Sequence, residues 1–397
     1  MPGPLAGIRV LDLGRFIACP FCGMLLADLG AEVIRVERPG GGQDRYLGLL
    51  APTGDSYGFV NYNRNKKGIS LNFERTERGR ELLNELIKRS DVVIENFSPE
   101  AARALGITYE DLKKTKPDII FADVSAFGPT GPYSHRLGFD QIAKAMSGAM
   151  AISGFPGPPI REQIPHIDYL TASMTAVGVV SALYHRERTG EGQMIDTALL
   201  QTAVTVMAPM IAEWETGGKL RQQTGNRSPW VGPSDLYRTS DGKWVMLAII
   251  TNSIWRRFCS YIGRDDMAED PRFHNDLARW ENHDIIDPVV AEWVASQTAE
   301  EIMVAAEEIP IPAGICNEQT EVASHPQVEA RDMLVEALFP DGSGNTLVTG
   351  LPIRMSGTPT EIQRSFPAVG EHNEEIYCGL LGYSREDLTR LAEEGII

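Results

Sequence analysis

The sequence predicts an α/β protein built on a mainly parallel β-sheet. In the first 215 residues, short apolar runs typical of buried strands alternate with helical patterns, and strands separated by helices form βαβ units. The length of 397 residues suggests two or three domains. Hydrophobic residues make up 43% of the chain and charged residues 23%, which excludes disorder, collagen or a coiled coil for most of it.

The predicted elements follow one another in a regular order. The strands cover residues 8–13, 32–36, 69–73, 91–95, 118–123 and 194–196. The helices cover residues 21–29, 78–89, 139–152, 168–188 and 199–216. In the second helix, Leu82, Leu83, Leu86 and Ile87 share one face, which is the spacing of a helix packed against a sheet. We therefore expect a sheet with helices on both faces.

A change of composition at residues 216–231, where Gly, Gln, Asn and Arg are frequent, indicates a linker. A hairpin follows, with strands at 236–239 and 244–249 joined by Ser-Asp-Gly. Helical patterns continue to about residue 308, so we interpret residues 232–327 as a smaller α/β domain. The pattern of residues 328–397 does not show which domain they join.

The chain carries 37 Lys and Arg against 54 Asp and Glu, a formal net charge of −17. This charge repels nucleic-acid phosphates and anionic membrane surfaces, so neither is an expected partner. The first thirteen residues lack the pattern of a signal peptide, and the most apolar helical stretch, 173–184, is shorter than the ~20 residues of a membrane span. An anionic ligand would need a local cationic pocket.

The five cysteines and seven histidines predict no metal site. Cys19 and Cys22 have CxxC spacing, but no second pair of ligands stands at matching spacing. The histidines are scattered, without an HExxH motif. We expect buried or partly buried free thiols, which are typical of a reducing, cytoplasmic compartment.

Residues that follow two predicted strands mark one edge of the sheet as a candidate binding site. Arg38 follows strand 32–36 and opens the glycine-rich stretch 38–44, whereas Asn96 and Phe97 follow strand 91–95. Open α/β sheets bind ligands at the carboxyl ends of their strands. The glycine-rich stretch matches neither GxGxxG nor a Walker sequence, so an ordinary turn is the alternative.

Asp168 opens a long apolar helix directly after the proline-rich stretch 154–165. Asp is a favoured N-cap residue, and its charge suits the positive end of a helix. The same place suits a nucleophilic carboxylate that stays ionised outside the core. Sequence spacing does not separate these two roles. A serine hydrolase is poorly supported, because no GxSxG motif occurs.

Taken together, the motifs resemble those of family III CoA-transferases, the group that holds the formyl-CoA, carnitine and bile-acid CoA-transferases. The resemblance extends over essentially the whole chain. The matching motifs are GIRVLD at 7–12, LGAEVIRVERPG at 29–40, NRNKK at 63–67, DVVIENF at 91–97, GFD at 138–140, MSG at 146–148, Asp168, GEGQMID at 190–196, PAG at 312–314 and GEHN at 370–373.

The resemblance implies a large Rossmann-like domain made from residues 1–215 and 328–397, and two chains interlocked as rings in an obligate homodimer. CoA and acyl-CoA are then substrates, and no permanently bound cofactor is expected. Asp168 matches the family's nucleophile. The residues that correspond to the family's CoA site are Phe16, Ile17, Ala18, Arg38, Leu71, Asn72, Arg75, Asn96 and Phe97. Most relatives have an arginine at the position where this chain has Ala104. We expect the neighbouring Arg103 to take its place.

The implied reaction moves CoA from an acyl-CoA thioester to a free carboxylic acid through an aspartyl-CoA intermediate. A carboxylate with the usual pKa of ~3.9 is ionised at pH 7 and needs no base. Backbone N–H groups of Gly225 or Gly232 are candidate oxyanion donors. Phe139, Asp140 and Arg227 are candidate substrate residues. Arg227 suggests dicarboxylates such as succinate, although it could equally bind CoA or form an interdomain salt bridge.

Two alternatives remain open at the level of the sequence. An α-methylacyl-CoA racemase has the same fold but moves an α-proton, and such racemases carry a histidine where this chain has Phe139. The second alternative is a non-catalytic CoA-binding protein, against which the presence of Asp168 argues.

Overall fold

The computed structural model describes residues 3–397, which form two compact units. The first unit comprises residues 3–147, Gln163–Met207 and Pro326–Ile397. The second comprises Gly148–Glu162 and Ala208–His325. Residues 216–231, interpreted above as a linker, thus belong to the second unit. The domain limits drawn from the sequence stay a prediction.

The first unit contains a six-stranded, fully parallel sheet, which confirms the predicted α/β class. Its strands are β1 (Arg9–Asp12), β2 (Glu32–Glu37), β3 (Lys66–Ser70), β4 (Val92–Glu95), β5 (Ile120–Ser125) and β6 (Met194–Ala198). They lie in the order β3-β2-β1-β4-β5-β6. From β1 the chain adds strands on one side up to β3 and then on the other side from β4 to β6, so the topological switch point lies between β1 and β4. This is the order of doubly wound sheets, which bind ligands at the carboxyl ends of the strands beside the switch.

The other strands are antiparallel. In the second unit β7 (Ser234–Arg238), β8 (Trp244–Ala248) and β9 (Ala313–Ile315) form one sheet, which confirms the hairpin predicted after residue 232. In the first unit β10 (Leu334–Leu338) pairs with β11 (Asn345–Thr349).

Helices fill the rest of both units. In chain order they are α1 (Ala18–Asp28), α2 (Tyr57–Tyr62), α3 (Glu77–Lys88), α4 (Pro99–Leu105), α5 (Tyr109–Thr115), α6 (Asp140–Ser147), α7 (Ala149–Ile152), α8 (His166–Thr189), α9 (Leu199–Gly217), α10 (Asn252–Tyr261), α11 (Asp265–Ala268), α12 (Asp276–Glu281), α13 (His283–Ala295), α14 (Ala299–Glu308), α15 (Gln319–Val322), α16 (Pro326–Ala330) and α17 (Arg385–Glu393). Short 3-10 helices cover Gln43–Tyr46 and Pro271–Phe273, and a π-helix covers Glu374–Leu380.

Each face of the parallel sheet packs against its own set of helices. On one face, Leu11 and Val93 contact the apolar side of α3, whose Leu82, Leu83, Leu86 and Ile87 are all buried as predicted. On the other face, Val10 and Ile94 contact α1 and α8. Because both faces are covered, the exposed functional groups of this unit are concentrated at the ends of the strands.

One predicted helix, and the length expected for the most apolar helical stretch, differ from the structure. The helix expected at 139–152 is interrupted at Gly148, whose φ of +91° is left-handed and separates α6 from α7. The stretch 173–184, judged too short for a membrane, belongs to the 24-residue helix α8. This helix is long and apolar enough to cross a membrane by length and composition, and the prediction was wrong on this point. Within the protein, 44% of its apolar window is buried, and one such helix is weak evidence of a membrane span.

Candidate active site

The loop that follows β1 lies at the carboxyl edge of the parallel sheet and is tightly constrained. The N–H of Gly14 donates to Asp12 Oδ1 at 2.9 Å, and a Cβ on Gly14 would lie 2.0 Å from the Cβ of Cys19, so that only glycine fits. Phe16 then adopts a φ of +65°, a strained value for a residue with a side chain. Such strain is retained only where neighbouring contacts hold it.

Asn96, at the end of β4, supplies those contacts. Its Oδ1 accepts the backbone N–H of Arg15 and its Nδ2 donates to the carbonyl of Arg15, both at 2.8 Å. The amide of Asn96 is thus engaged on both sides by one residue of the neighbouring loop. The next N–H, that of Phe97, donates to Glu95 Oε2 at 2.5 Å. The loops after β1 and β4 therefore form one rigid unit beside the switch point.

A buried ion pair supports this loop from beneath. The ammonium of Lys66 donates to Asp12 Oδ2 at 2.8 Å, to the Pro20 carbonyl at 2.7 Å and to Asn63 Oδ1 at 2.9 Å. Burial lowers the pKa of Lys66, and the charge of Asp12 partly offsets this effect. All three N–H groups are paired, so the pair holds β1, α1 and β3 together.

A crevice of about 80 Å³ opens at the ends of β1, β2 and β3, and its lining includes Arg15, Arg35, Arg38 and Glu74. Arg38 is exposed, and its Nε donates to the Gly41 carbonyl at 2.9 Å. Arg15 pairs with Glu74. Three arginines face two glutamates, Glu37 and Glu74, in this lining, so the crevice is net cationic at the edge where the sequence places a CoA site.

The structure brings together most, but not all, of the side chains predicted to line the CoA site. Phe16, Asn96 and Phe97 belong to the two joined loops, and Ala18 starts α1 directly after its N-cap, Ile17. The side chain of Leu71 instead packs in the core. Asn72 lies at the same edge, and its Nδ2 donates to the Gly395 carbonyl at 3.2 Å. Arg75 and Arg103 are exposed.

Asp168 lies in the first turn of α8 and does not cap it. The N-cap position is Pro165, and no side chain at that position accepts a helix N–H. The capping is done from α6, because Asp140 Oδ2 accepts the N–H of Ile167 at 2.8 Å and that of Asp168 at 3.4 Å. The half-buried carboxylate of Asp168 is thereby left without the capping role that the sequence allowed.

The surroundings of Asp168 disfavour its charged form. The pKa of Asp168 is raised to about 7, mainly by burial and further by the negative charge of Asp140, while Lys144 opposes the rise. Asp140 and Lys144 form a buried ion pair at 2.9 Å, four residues apart on α6. The sequence-based expectation of a carboxylate with its ordinary pKa was therefore wrong, since full ionisation at pH 7 does not follow from this environment.

Aromatic side chains connect Asp168 with the loop after β1. The rings of Phe16 and Phe139 meet edge to face with centroids 5.3 Å apart, and Phe139 directly precedes Asp140. Tyr169 follows Asp168 in the chain, and its hydroxyl lies 2.7 Å from that of Tyr62. Burial raises the pKa of Tyr62, and Tyr169 and Asp168 raise it further.

The sequence analysis did not predict Arg15 and Lys144 as site residues. The sequence features that could have indicated them are the position of Arg15 next to Phe16 and the position of Lys144 four residues after Asp140.

Two candidate residues of the second unit, Gly225 and Arg227, have partners within that unit. The N–H of Gly225 donates to the Gly154 carbonyl at 2.9 Å, so it is not free to bind an oxyanion. The Gly232 carbonyl accepts Nε of Arg279 at 2.8 Å, and the oxyanion role of the Gly232 N–H stays a prediction. Arg227 pairs with Asp287 at 2.8 Å, within the same unit. Among residues 3–397, no three His, Cys, Asp or Glu side chains are placed to hold a metal ion.

Comparisons with known proteins identify what the chain is similar to. The family model described as CoA-transferase family III matches residues 5–373. The succinyl-CoA–D-citramalate CoA-transferase of Chloroflexus aurantiacus is 38% identical over 100% of this chain and 98% of its own length. The succinate–glutarate CoA-transferase of Agrobacterium fabrum is 34% identical over 95% of this chain and 96% of its own. A CAIB/BAIF family protein from Brucella suis matches in structure with a TM-score of 0.83 and 32% identity, over 96% of this chain and 100% of its own.

Proposed function

Because the chain belongs to CoA-transferase family III and transfers CoA between an acyl-CoA and a carboxylic acid, we propose that Asp168 is its nucleophile and carries CoA as a covalent aspartyl thioester. One observation carries the proposal. Asp140 takes over the capping of α8, which leaves the Asp168 carboxylate available at the start of the helix, next to the loops of the candidate CoA site.

The reaction then has two symmetrical halves. The Asp168 carboxylate attacks the donor thioester carbonyl, and CoA leaves as a thiolate, which gives a mixed anhydride between Asp168 and the donor acid. The thiolate attacks the Asp168 carbonyl of this anhydride, so that the aspartyl-CoA thioester forms and the donor acid leaves. The acceptor carboxylate attacks the aspartyl thioester and expels the thiolate. The thiolate finally attacks the acceptor's acyl carbon, which releases the new acyl-CoA and free Asp168.

We place CoA along the loops at the carboxyl ends of β1–β4. Phe16, Ile17, Ala18, Arg38, Asn72, Arg75, Asn96, Phe97 and Arg103 would line it with side chain or backbone, and Leu71 with its backbone only. Arginine forks bind phosphate oxygens in pairs, which suits the cationic crevice near Arg38. Phe139, packed on Phe16, and Asp140 would lie beside the acyl group.

The proposed acids are dicarboxylates, with a dicarboxylic acyl-CoA such as succinyl-CoA as donor. The support comes from the relatives, which are named for succinyl-CoA with D-citramalate and for succinate with glutarate, all of them dicarboxylic acids or their CoA thioesters. Arg227 is already paired with Asp287, so the dicarboxylate proposal does not rest on it.

We also propose that the enzyme works as a homodimer in the cytoplasm. Leu170, Met174, Val177 and Tyr184 recur at helical spacing along α8 and are exposed, with Val177 67% accessible. A stripe of this kind suits burial against a second copy of the chain. The free cysteines, Cys19, Cys22, Cys259, Cys316 and Cys378, are typical of a reducing compartment. Cys316 is exposed, contrary to the expectation of buried or partly buried thiols.

Trapping the intermediate tests the role of Asp168. Incubation with succinyl-CoA followed by hydroxylamine or borohydride should modify this residue alone, as seen in the peptide mass, whereas incubation with CoA alone should leave it unmodified. Asp168→Asn should abolish both the modification and CoA transfer. Full transferase activity in Asp168→Asn would contradict the proposal.

A further inference from the structure

Arg15 stands at the candidate CoA site on an unusually fixed backbone. Both its N–H and its carbonyl are bonded to the side chain of Asn96 at 2.8 Å. Its guanidinium lies over the ring of Phe97, with 5.1 Å between the guanidinium carbon and the ring centroid. The backbone and the stacked ring together restrict where the guanidinium can be, which lowers the entropy that binding would cost.

The partner of this guanidinium is Glu74, in the loop after β3. Both side chains are 37% exposed, and an exposed ion pair contributes little to stability, so it is easily exchanged for another partner. Arg35 in the same crevice is different, because it is 1% exposed and pairs with Asp44 at 2.6 Å. Breaking a buried pair is strongly unfavourable. Arg15 can therefore change its partner where Arg35 cannot.

An incoming phosphate is a better partner for Arg15 than a single carboxylate. Arginine binds a phosphate through two parallel N–H···O bonds, and a phosphate carries up to two negative charges. Arg38, exposed in the same crevice, is a second solvent-accessible cation of this lining, unlike the buried Arg35. The nucleotide half of CoA carries phosphates, whereas its pantetheine half carries none.

From these observations we propose that Arg15 binds a phosphate of the CoA nucleotide and that Glu74 occupies Arg15 until CoA arrives. The proposal rests on the proposed function, since it takes CoA as the ligand. Beyond that function, the proposal makes Arg15 a phosphate-binding residue and makes Glu74 a carboxylate that competes with the phosphate for the Arg15 guanidinium. Removing Glu74 should therefore strengthen CoA binding, an effect that damage to the fold does not produce.

Calorimetric titration of the full-length protein with CoA and with pantetheine tests both parts. Arg15→Gln should weaken CoA binding ~10- to 100-fold, the contribution expected of hydrogen bonds to a charged group. Glu74→Gln should strengthen CoA binding about two- to fivefold, the range of an exposed ion pair. Neither substitution should change pantetheine binding. Two substitutions at exposed positions of α3 serve as controls. Arg80→Gln removes a positive charge as Arg15→Gln does, and Glu77→Gln removes a negative charge as Glu74→Gln does.

The outcomes separate the inference from the proposed function. Unchanged CoA affinity in Arg15→Gln, or CoA binding no tighter in Glu74→Gln than in Glu77→Gln, would overturn the inference while leaving CoA transfer by Asp168 intact. Equal losses for CoA and pantetheine in Arg15→Gln would show a general structural effect and would also overturn it. A wild-type protein that binds neither compound would refute the proposed function itself.

Discussion

The carboxylate of Asp140 accepts the backbone N–H of Asp168 at 3.4 Å, so the two acidic side chains are held close together at the start of α8. Burial, together with the negative charge of Asp140, raises the pKa of Asp168 to about 7, and the positive charge of Lys144 partly opposes this rise. The group proposed to attack the thioester is therefore only partly ionised near neutral pH. This relationship leads to predictions about pH, stability and the role of each carboxylate.

Transfer activity should rise with pH through about 7, because the ionised fraction of Asp168 grows there. We expect kcat/KM for the acyl-CoA donor to increase about tenfold per pH unit below this value and to level off above it. A stopped assay in buffers of constant ionic strength measures the profile. An activity that is constant from pH 5 to pH 8 would contradict the assignment of Asp168 as the nucleophile.

Asp168→Asn should stabilise the protein at alkaline pH while removing activity by at least ~10³-fold. The folded-state pKa of Asp168 is raised, so the native state binds more protons than the unfolded state between pH 3.8 and about 7. The contribution of Asp168 to the free energy of unfolding therefore falls as pH rises through this window. Thermal unfolding at pH 8 should show a higher Tm for Asp168→Asn, and the gain should vanish near pH 4.

Asp140→Asn should move the pH profile of the reaction to lower pH. Asparagine caps a helix about as well as aspartate, so the start of α8 keeps its hydrogen-bond acceptor, whereas the negative charge that raises the pKa of Asp168 is lost. The buried ion pair with Lys144 is broken, which costs about 3–5 kcal/mol of stability. A profile that keeps its inflection near pH 7 would argue against this electrostatic coupling.

Asn96→Ala should raise KM for the acyl-CoA donor more than it lowers kcat. It removes both bonds that hold Arg15 and, with it, the strained backbone of Phe16, while leaving the surroundings of Asp168 in place. The loss of two hydrogen bonds to a partly buried backbone should lower the free energy of unfolding by about 1–3 kcal/mol. Asn345→Ala, at an exposed position of the hairpin β10–β11, is a suitable control and should leave KM unchanged.

The protein should not exchange the α-proton of a 2-methylacyl-CoA. Racemisation needs two acid–base groups on opposite sides of the carbon, and the ring of Phe139 cannot carry a proton. In heavy water we expect CoA transfer to a free acid without deuterium at the α-carbon of the thioester. Rapid α-deuteration in the absence of an acid acceptor would favour the racemase.

For the proposed homodimer, sedimentation should show a dimer of the 43.7 kDa chain down to nanomolar concentration, because chains interlocked as the family resemblance implies would not separate without unfolding. Replacing Val177, the most exposed apolar residue of the stripe on α8, with Asp should lower the yield of folded protein. Thr189→Asp, at the exposed end of the same helix, introduces the same charge outside the stripe and serves as a control. A folded monomer on dilution would disprove the interlocked arrangement.

The strands and the face of α3 could be predicted because they depend on local patterns. Val92–Glu95 is an apolar run and Leu82, Leu83, Leu86 and Ile87 recur at helical spacing, so neighbouring residues carry the information. Contacts across long sequence distances could not be predicted. Asp140 caps a helix that starts 26 residues later, and the carboxylates paired with Lys66 and Arg15 are 54 and 59 residues away in the chain.

The pKa of Asp168 illustrates the same limit in energetic terms. The sequence gives the type of group and its ordinary pKa, but the shift depends on burial and on a charge brought in from α6. Only the folded arrangement determines these contributions. For the same reason, the sequence left open whether Asp168 or another residue caps α8, and the structure shows that Asp140 does so.

The loop after β1 is surrounded by cationic groups that differ in how easily acyl-CoA, the enzyme's own substrate, could acylate them. Acyl-CoA thioesters and mixed anhydrides acylate a free amine. The amine beneath this loop, that of Lys66, is fully buried and donates all three N–H groups, so it offers no lone pair to an acyl carbon. The cations of the crevice are arginines, which stay protonated and are poor nucleophiles. Prolonged incubation with acyl-CoA should therefore leave Lys66 unacylated as long as the protein remains folded.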